Sequence, residues 1–276
     1  MLKVGSLELE VPAVMGILNV TPDSFSDGGN FAARDAALQQ AESMAAAGAA
    51  IIDIGGESTR PGAKDVTEQE ELDRVLPVIE AVVASVAVPV SIDTSKPGVM
   101  RAAVASGAAM INDIRALQED GALTAAAELQ RPVCLMHMQG MPRTMQHSPE
   151  YGDVVREVRS FLAERISACR EAGLAEELLI VDPGFGFGKT VQHNVELLAN
   201  LRQLQDLGRP VLAGLSRKST LGTLTGQEVG ERLPASIAAA VLSVVQGAEI
   251  IRVHDVRETV DALRVVAAMM ESDTGR

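Results

Sequence analysis

The sequence predicts an α/β fold, a closed (β/α)8 TIM barrel preceded by a short N-terminal β-hairpin. Short apolar runs alternate eight times with longer segments of helical periodicity along the 276 residues, as expected of consecutive βα units. No linker divides the chain, and its apolar residues (47%) are almost all aliphatic, with no Trp, one Tyr and five Phe. Such runs are typical of buried parallel strands. We therefore expect one domain over residues 1–276, with the barrel at about 12–270 and a disordered tail at 271–276.

The N-terminal residues 1–12 include VGSLELEVP, two short alternating segments around a glycine, which predict a hairpin that closes the barrel floor. The eight strands that follow are short apolar runs bounded by glycine, proline or polar residues. They are placed at Ala13–Leu18, Ala50–Ile54, Pro89–Ile92, Met110–Ile111, Pro132–Met136, Leu178–Val181, Pro210–Leu215 and Glu249–Val253.

Eight helices are predicted between the strands because apolar residues recur there at every third or fourth position. They are placed at Arg34–Ala47, Glu68–Val83, Gly98–Ala105, Ala122–Leu129, Asp153–Ala172, Val191–Leu207, Pro234–Val245 and Arg257–Met270. Several end at a glycine that can cap a helix, namely Gly48, Gly107, Gly173, Gly208 and Gly247. A doubly wound open sheet is the alternative, but it usually has fewer strands and a glycine fingerprint after the first strand.

Charge and composition limit the classes of partner that the protein can bind. The net charge is −13 without a run of Lys or Arg, which disfavours nucleic acid and anionic membranes because both require a basic surface. No stretch approaches the ~18 apolar residues of a membrane span. Cys134 and Cys169 lie in apolar or helical segments, and we expect two reduced thiols in a cytoplasmic protein.

Polar or charged residues end most of the predicted strands, where enzymes of this fold carry their active sites. This ring consists of Asn19, Asp53, Asp93, Asn112, His137, Asp182, Ser216, Arg217, Lys218, Arg252 and His254. Buried carboxylates and amides suit the N–H and carbonyl groups of a flat, nitrogen-rich heterocycle. The cations of the last two strands predict a local anion site. Support of the second loop and of the rim is our interpretation for Asp53 and His137.

Two polar, glycine-bearing loops, VTPDSFSDGGNF and GESTRPGAKDVT, are interpreted as lids that exclude water from the site. The segment PGFGFGKT resembles a phosphate-binding loop, but Pro183 stands where its first glycine is required. Lys189 is therefore interpreted as a solvated residue of the first helical turn. The four histidines lack metal-ligand spacing, and no GxSxG element indicates a hydrolase.

Eight motifs in order make the chain similar to the dihydropteroate synthase family, folate-pathway enzymes targeted by sulfonamides. They are GILNVTPDSFSDGG, DIGGESTRPG, SIDTSKP, INDI, MHMQGMPRTMQ, DPGFGFGK, GLSRKS and IRVHD, within about residues 12 to 270. The resemblance implies condensation of 6-hydroxymethyl-7,8-dihydropterin diphosphate with p-aminobenzoate to give 7,8-dihydropteroate and diphosphate. Departure of the leaving group would precede attack by the amine, so no general base is required.

The resemblance also implies a role for individual residues. The pterin-binding set is Thr59, Asp93, Asn112, Met136, Asp182, Gly214 and Lys218. The diphosphate-binding set is Asn19, Arg60, Arg252 and His254, with Asn19 also binding Mg²⁺. The p-aminobenzoate-binding set is Arg60, Pro61, Phe187, Ser216 and Lys218. The catalytic set is Asp93, Asp182, Lys218, Arg252 and His254.

Two other functions remain open at this point: a methyltetrahydrofolate:corrinoid methyltransferase and a non-catalytic pterin-binding paralogue. The first would not be expected to carry the STRPG and SRKS segments, and the second should have lost clamp residues that this chain retains. Family members are typically homodimers. The apolar segments SIAAAVLSVV and ALRVVAAMM could supply such an interface, although their spacing is equally that of ordinary core-facing helices.

Overall fold

The computed structural model describes residues 1–21, 29–58, 65–141 and 144–274. Its strands are β1 Leu2–Val4, β2 Leu7–Leu9, β3 Ala13–Asn19, β4 Ile51–Gly55, β5 Val90–Asp93, β6 Met110–Asp113, β7 Val133–Met136, β8 Leu179–Asp182, β9 Leu212–Ala213 and β10 Ile250–Val253. Its α-helices are α1 Gly29–Ala46, α2 Glu68–Ser85, α3 Pro97–Ala105, α4 Ala122–Leu129, α5 Val154–Glu171, α6 Val191–Ala199, α7 Ser219–Thr225, α8 Leu233–Val245 and α9 Val256–Thr274.

Strands β3 to β10 form one parallel sheet in the order β8-β7-β6-β5-β4-β3-β10-β9. A parallel bridge between Val181 and Val211 joins its two outer strands, and the amide of Val181 donates to the carbonyl of Pro210 at 2.9 Å. The sheet is thereby closed, and the predicted (β/α)8 barrel is confirmed.

The N-terminal hairpin forms the floor of this barrel, as predicted. Strands β1 and β2 pair antiparallel, and the turn between them contains Gly5 at a φ of +55°. Val4, Leu7 and Leu9 are buried against the inward-facing side chains of the strands, which are Ala13, Met15, Ile51, Met110, Cys134, Ile180, Leu212 and Ile250. Because this end is filled by apolar side chains, a ligand can reach the interior only from the opposite end.

Local sequence explains where the helices begin and end. Thr67 caps α2 in a reciprocal capping box with Glu70, and Asp153 caps α5 through the amide of Arg156. After α3, Gly107 has a φ of +104°, a conformation that favours glycine. The alternate residues of each strand, such as Ile52 and Ile54, are buried in the larger core beneath the helices.

Several elements differ from prediction. Helix α1 begins at Gly29 instead of Arg34, and the strand predicted at 210–215 is the two-residue β9. The segment predicted as one helix at 191–207 is α6 followed by a 3-10 helix at Leu201–Leu207. Helix α7 was not predicted, because its seven residues are mostly small and polar. Helix α9 continues to Thr274, and neither glycine nor proline occurs within it. Among the described residues, no helix is long and apolar enough to span a bilayer.

Candidate active site

The open end of the barrel carries the predicted polar ring because side chains alternate along each strand. Residues two positions beyond a floor residue face the same interior, so Asn112 follows Met110 and Asp182 follows Ile180. The register then places Asp93 opposite Asn112 and Met136 opposite Asp182. The sheet therefore brings the predicted pterin-binding residues of β5 to β8 to the same end of the barrel, with Met136 two residues beyond the partner of Asn112.

Arg252 from β10 is the centre of the charged network. Its Nε donates to Oδ2 of Asp53 at 2.6 Å, and its Nη2 donates to Oδ2 of Asp93 at 2.7 Å. Asn112 donates from Nδ2 to the same Asp53 oxygen at 3.0 Å. Burial lowers the pKa of Arg252, but Asp53 and Asp93 raise it above its usual value. The guanidinium thus joins three strands, and Asp53 connects it to Asn112 on a fourth.

Asp53 has a different role from the one predicted. Instead of supporting the second loop, it is fully buried in the barrel and orients both Arg252 and Asn112. Its other oxygen, Oδ1, is buried without a hydrogen-bond partner in the described structure. A buried acceptor of this kind is costly unless a ligand or water satisfies it.

The carboxyl groups of the site are held in a weakly solvated environment. Burial raises the pKa of Asp93 to about 7, with Arg252 opposing the shift and Asp53 adding to it. Burial also raises the pKa of Asp182, whereas Lys218 and the amide of Gly184, at 2.7 Å, lower it. Burial lowers the pKa of Lys218 to about 8 against the opposing charge of Asp182. Binding of a charged ligand can therefore change the protonation of Asp93 and Lys218 near neutral pH.

Ser216 and His254 form a pair between the ends of β9 and β10. The Ser216 Oγ lies 3.0 Å from Nδ1 of His254 and accepts the backbone amide of His254 at 3.2 Å. Burial and the nearby Arg252 together lower the pKa of His254 to about 4. His254 is therefore neutral at physiological pH, and a serine hydroxyl that donates to Nδ1 leaves Nε2–H as a donor toward a ligand.

Lys218 and Phe187 also lie together. The Lys218 Nζ is 4.7 Å from the centroid of the Phe187 ring and donates to the carbonyl of Phe185 at 2.5 Å. An aromatic face beside a cation suits a planar aromatic carboxylate.

Of the remaining predicted site residues, some lie within the described ranges and others lie outside them. Asn19 lies at the end of β3 opposite Gly55, Met136 at the end of β7 is buried, and Gly214 follows β9. Thr59, Arg60 and Pro61 lie outside the described residues, as do 22–28 of the first loop. In the described ranges no group of three or more His, Cys, Asp or Glu side chains could hold a metal ion.

Sequence reasoning missed Lys189. The prediction of a solvated side chain is wrong, because Lys189 is only 2% exposed. Its Nζ contacts Nδ1 of His137 at 2.9 Å and the carbonyl of Gly184 at 2.9 Å. The signal in the sequence was the glycine-rich turn before it, since such turns leave carbonyl groups that need donors.

A second missed network supports the loop after β4. Lys96 contacts Glu57 and donates to Glu71 at 2.5 Å, and Glu71 is almost completely buried. Glu57 also accepts the backbone amide of Val66 at 3.4 Å. This contact joins the two ends of the loop that contains the STRPG residues.

Comparisons with known proteins agree with this geometry. A family model described as pterin binding enzyme matches residues 15–254. The chain is 55% identical over 267 residues to the dihydropteroate synthase of Escherichia coli strain K12, covering 97% of this chain and 95% of that protein. It superposes on Yersinia pestis dihydropteroate synthase in a sulfonamide drug complex with a TM-score of 0.93 and 54% identity, covering 98% and 99% of the two chains. It also superposes on the Xanthomonas albilineans enzyme in complex with 7,8-dihydropteroate, with a TM-score of 0.89, 51% identity and 98% of each chain covered.

Proposed function

Because this chain belongs to the pterin-binding enzyme family as a dihydropteroate synthase, we propose how its own residues carry out the reaction. The enzyme joins 6-hydroxymethyl-7,8-dihydropterin diphosphate to p-aminobenzoate and releases diphosphate. This activity agrees with the resemblance found in the sequence and decides against the corrinoid methyltransferase and the non-catalytic paralogue. The assignment of residues rests above all on the network that joins Arg252 to Asp53 and Asp93.

The pterin is held between β5 and β8. Asp93 and Asp182 accept N–H groups of the heterocycle, and Asn112 can both donate to and accept from it. Asp53 acts beneath them, since it fixes the orientation of the Asn112 amide at 3.0 Å. Met136 and Gly214 shape the walls, Thr59 contacts the same substrate, and Lys218 completes the set.

The diphosphate is held by Arg252 and His254, together with Asn19 and Arg60. As the bond between the methylene carbon and the leaving oxygen breaks, both bonding electrons move to the diphosphate. The Arg252 guanidinium and the His254 N–H stabilise this developing charge. The cation left on the methylene carbon delocalises into the pterin ring, and ionised Asp93 and Asp182 stabilise it.

The p-aminobenzoate lies beside Phe187, with its carboxylate near Lys218 and Ser216. Arg60 and Pro61 from the second loop flank it. Its amine attacks the methylene cation, forms the C–N bond and then releases one proton to solvent. A sulfonamide, as bound by the Yersinia pestis relative, would occupy the same position.

Asn19 fits a site for Mg²⁺. Mg²⁺ is commonly held by one or two protein oxygen ligands together with substrate phosphates and water, and the Asn19 amide oxygen at the end of β3 is such a ligand. When bound, the ion would neutralise part of the diphosphate charge. A chelator should raise the KM for the pterin diphosphate, and Asn19→Ala should reduce the effect of added Mg²⁺.

A homodimer would bury apolar side chains that α8 and α9 expose. Leu242 is 51% exposed, Val265 is 72% exposed and Met269 is 50% exposed. Exposed apolar side chains on these two helices, which pack against each other, favour an interface here. Val265→Glu should convert the dimer to a monomer in analytical ultracentrifugation. The two buried free thiols, Cys134 and Cys169, agree with a cytoplasmic location.

The activity is tested by measuring diphosphate and dihydropteroate in the same reaction. The wild-type enzyme should form the two products in equal amounts and only when both substrates are present. Arg252→Met should abolish both products together. Product formation by this variant at the wild-type rate would refute the proposed role of Arg252.

A further inference from the structure

The turn between Gly184 and Gly188 has an unusual hydrogen-bonding pattern. Each of its five consecutive carbonyl oxygens accepts a hydrogen bond from a side chain. Lys189 donates to Gly184 and Phe187, Lys218 to Phe185, Gln146 to Gly186, and Tyr151 to Gly188. Gly184 also accepts the backbone amide of Phe187 at 3.1 Å, but side chains supply most of the partners that a strand or helix would provide from its backbone.

Lys189 supplies two of these five bonds from a buried position. Its Nζ lies 2.9 Å from the carbonyl of Gly184, 3.0 Å from that of Phe187 and 2.9 Å from Nδ1 of His137. Burial lowers the pKa of Lys189, and the Asp182 carboxylate opposes this shift. The three acceptors around Nζ match the three N–H donors of an ammonium group. Burial, helped by Lys189, lowers the pKa of His137 to about 3, so the imidazole is neutral and can accept at Nδ1.

The turn lies directly against the chain that follows β7. A Cβ atom at Gly184 would be 1.9 Å from the carbonyl oxygen of His137, and one at Gly188 would be 2.3 Å from that of Gln139. No side chain fits between the two backbones at these points. Lys189 lies beside them, and the Phe161 ring packs in a T-shaped arrangement against the His137 ring with centroids 4.9 Å apart.

We propose that Lys189 is a positioning residue for p-aminobenzoate. By holding the carbonyls of Gly184 and Phe187, it fixes the turn that presents the Phe187 ring. The same turn presents the Phe185 carbonyl to Lys218, which keeps the Lys218 ammonium over that ring. The inference rests on the p-aminobenzoate-binding roles proposed for Phe187 and Lys218.

The pterin-binding residues depend much less on this turn. Asp93 and Asn112 lie on strands β5 and β6, whose pairing does not involve the turn. Of the pterin set, Asp182 contacts the turn through the amide of Gly184, and Lys218, which is assigned to both substrates, contacts it through the carbonyl of Phe185. Loss of Lys189 should therefore affect one substrate more than the other.

Steady-state kinetics of Lys189→Met test this proposal, because methionine has a similar length and no donor. We expect the KM for p-aminobenzoate to rise about tenfold or more, with a change of less than about threefold for the pterin diphosphate. Lys189→Gln, whose amide supplies two N–H donors, should give an intermediate KM for p-aminobenzoate. Arg209→Met is the matched control, because Arg209 donates to the carbonyl of Glu176 at 2.6 Å, away from the mouth of the barrel. It should leave both KM values unchanged.

An unchanged KM for p-aminobenzoate in Lys189→Met, or equal increases for both substrates, would overturn the proposal. If Lys189→Met does not fold, Tyr151→Phe removes one bond to the same turn and should raise the same KM by a smaller factor; an unchanged KM would then overturn it. Phe187→Ala distinguishes failure of the positioning role of Lys189 from failure of the assigned p-aminobenzoate site. If Phe187→Ala has a normal KM for p-aminobenzoate, the assigned site is wrong; if only Lys189→Met is normal, the positioning role is wrong.

Discussion

Replacement of Arg252 by methionine is the most informative perturbation of the site. Asp53, with no exposed surface, and Asp93, with a side chain 14% exposed, both lose their cation. Breaking a buried ion pair costs about 3–5 kcal/mol. Asp93 can limit this cost by taking up a proton, because its pKa is already raised to about 7 by burial and Arg252 opposes that shift. We therefore expect the lower end, a loss of about 3 kcal/mol in the free energy of unfolding.

Urea denaturation near neutral pH measures this loss. Adding Asp53→Asn to Arg252→Met removes the uncompensated charge of Asp53 and should recover about 2 kcal/mol of the free energy of unfolding, because the effects of substitutions at residues in contact are not additive. Arg101→Met is the matched control, because Arg101 is 44% exposed in its pair with Glu128; it should cost no more than about 1 kcal/mol. Equal losses for Arg252→Met and Arg101→Met, or no recovery in the double variant, would refute the reasoning.

Three further predictions concern the same region. Asp182→Asn should lower kcat/KM about 10²-fold with little change in urea stability, because the amide oxygen can still accept from Gly184; near-normal turnover would contradict the role of the charge. Burial raises the pKa of Asp93 to about 7, so its protonated form increases as the pH falls, and calorimetry should show weaker pterin binding below that pH; a flat profile would contradict pterin binding by an Asp93 that titrates near pH 7. Gly184→Ala places a Cβ 1.9 Å from the carbonyl of His137 and should cost at least about 2 kcal/mol more than Gly226→Ala. Gly226 has a similar φ of +72° with no atom within 4 Å. Equal costs would therefore show that the positive φ, and not the contact with His137, accounts for the loss of stability.

Much of the fold follows from the sequence because parallel barrel strands are buried on both faces and appear as continuous apolar runs. The first polar residue after such a run then marks the open end of the barrel. Asp93 and Asn112 could be found in this way without knowledge of strand order. Their pairing in register adds only that they are neighbours.

The partners of the ring residues could not be read from the sequence. Asp53 lies two positions after the floor residue Ile51 and so faces the interior, but its contact with Arg252 joins residues 199 positions apart. Lys189 resembles an ordinary residue at the start of a helix. Its burial arises because the turn before it packs against His137, and Lys189 contacts His137 across 52 positions of the chain.

A crystal structure of this enzyme with 6-hydroxymethyl-7,8-dihydropterin diphosphate tests the assignment of the site most directly. The pterin ring should lie against Asp93, Asn112 and Asp182, with the diphosphate contacting Arg252 and His254. A ring bound elsewhere at the mouth, or a diphosphate directed away from Arg252, would contradict the account.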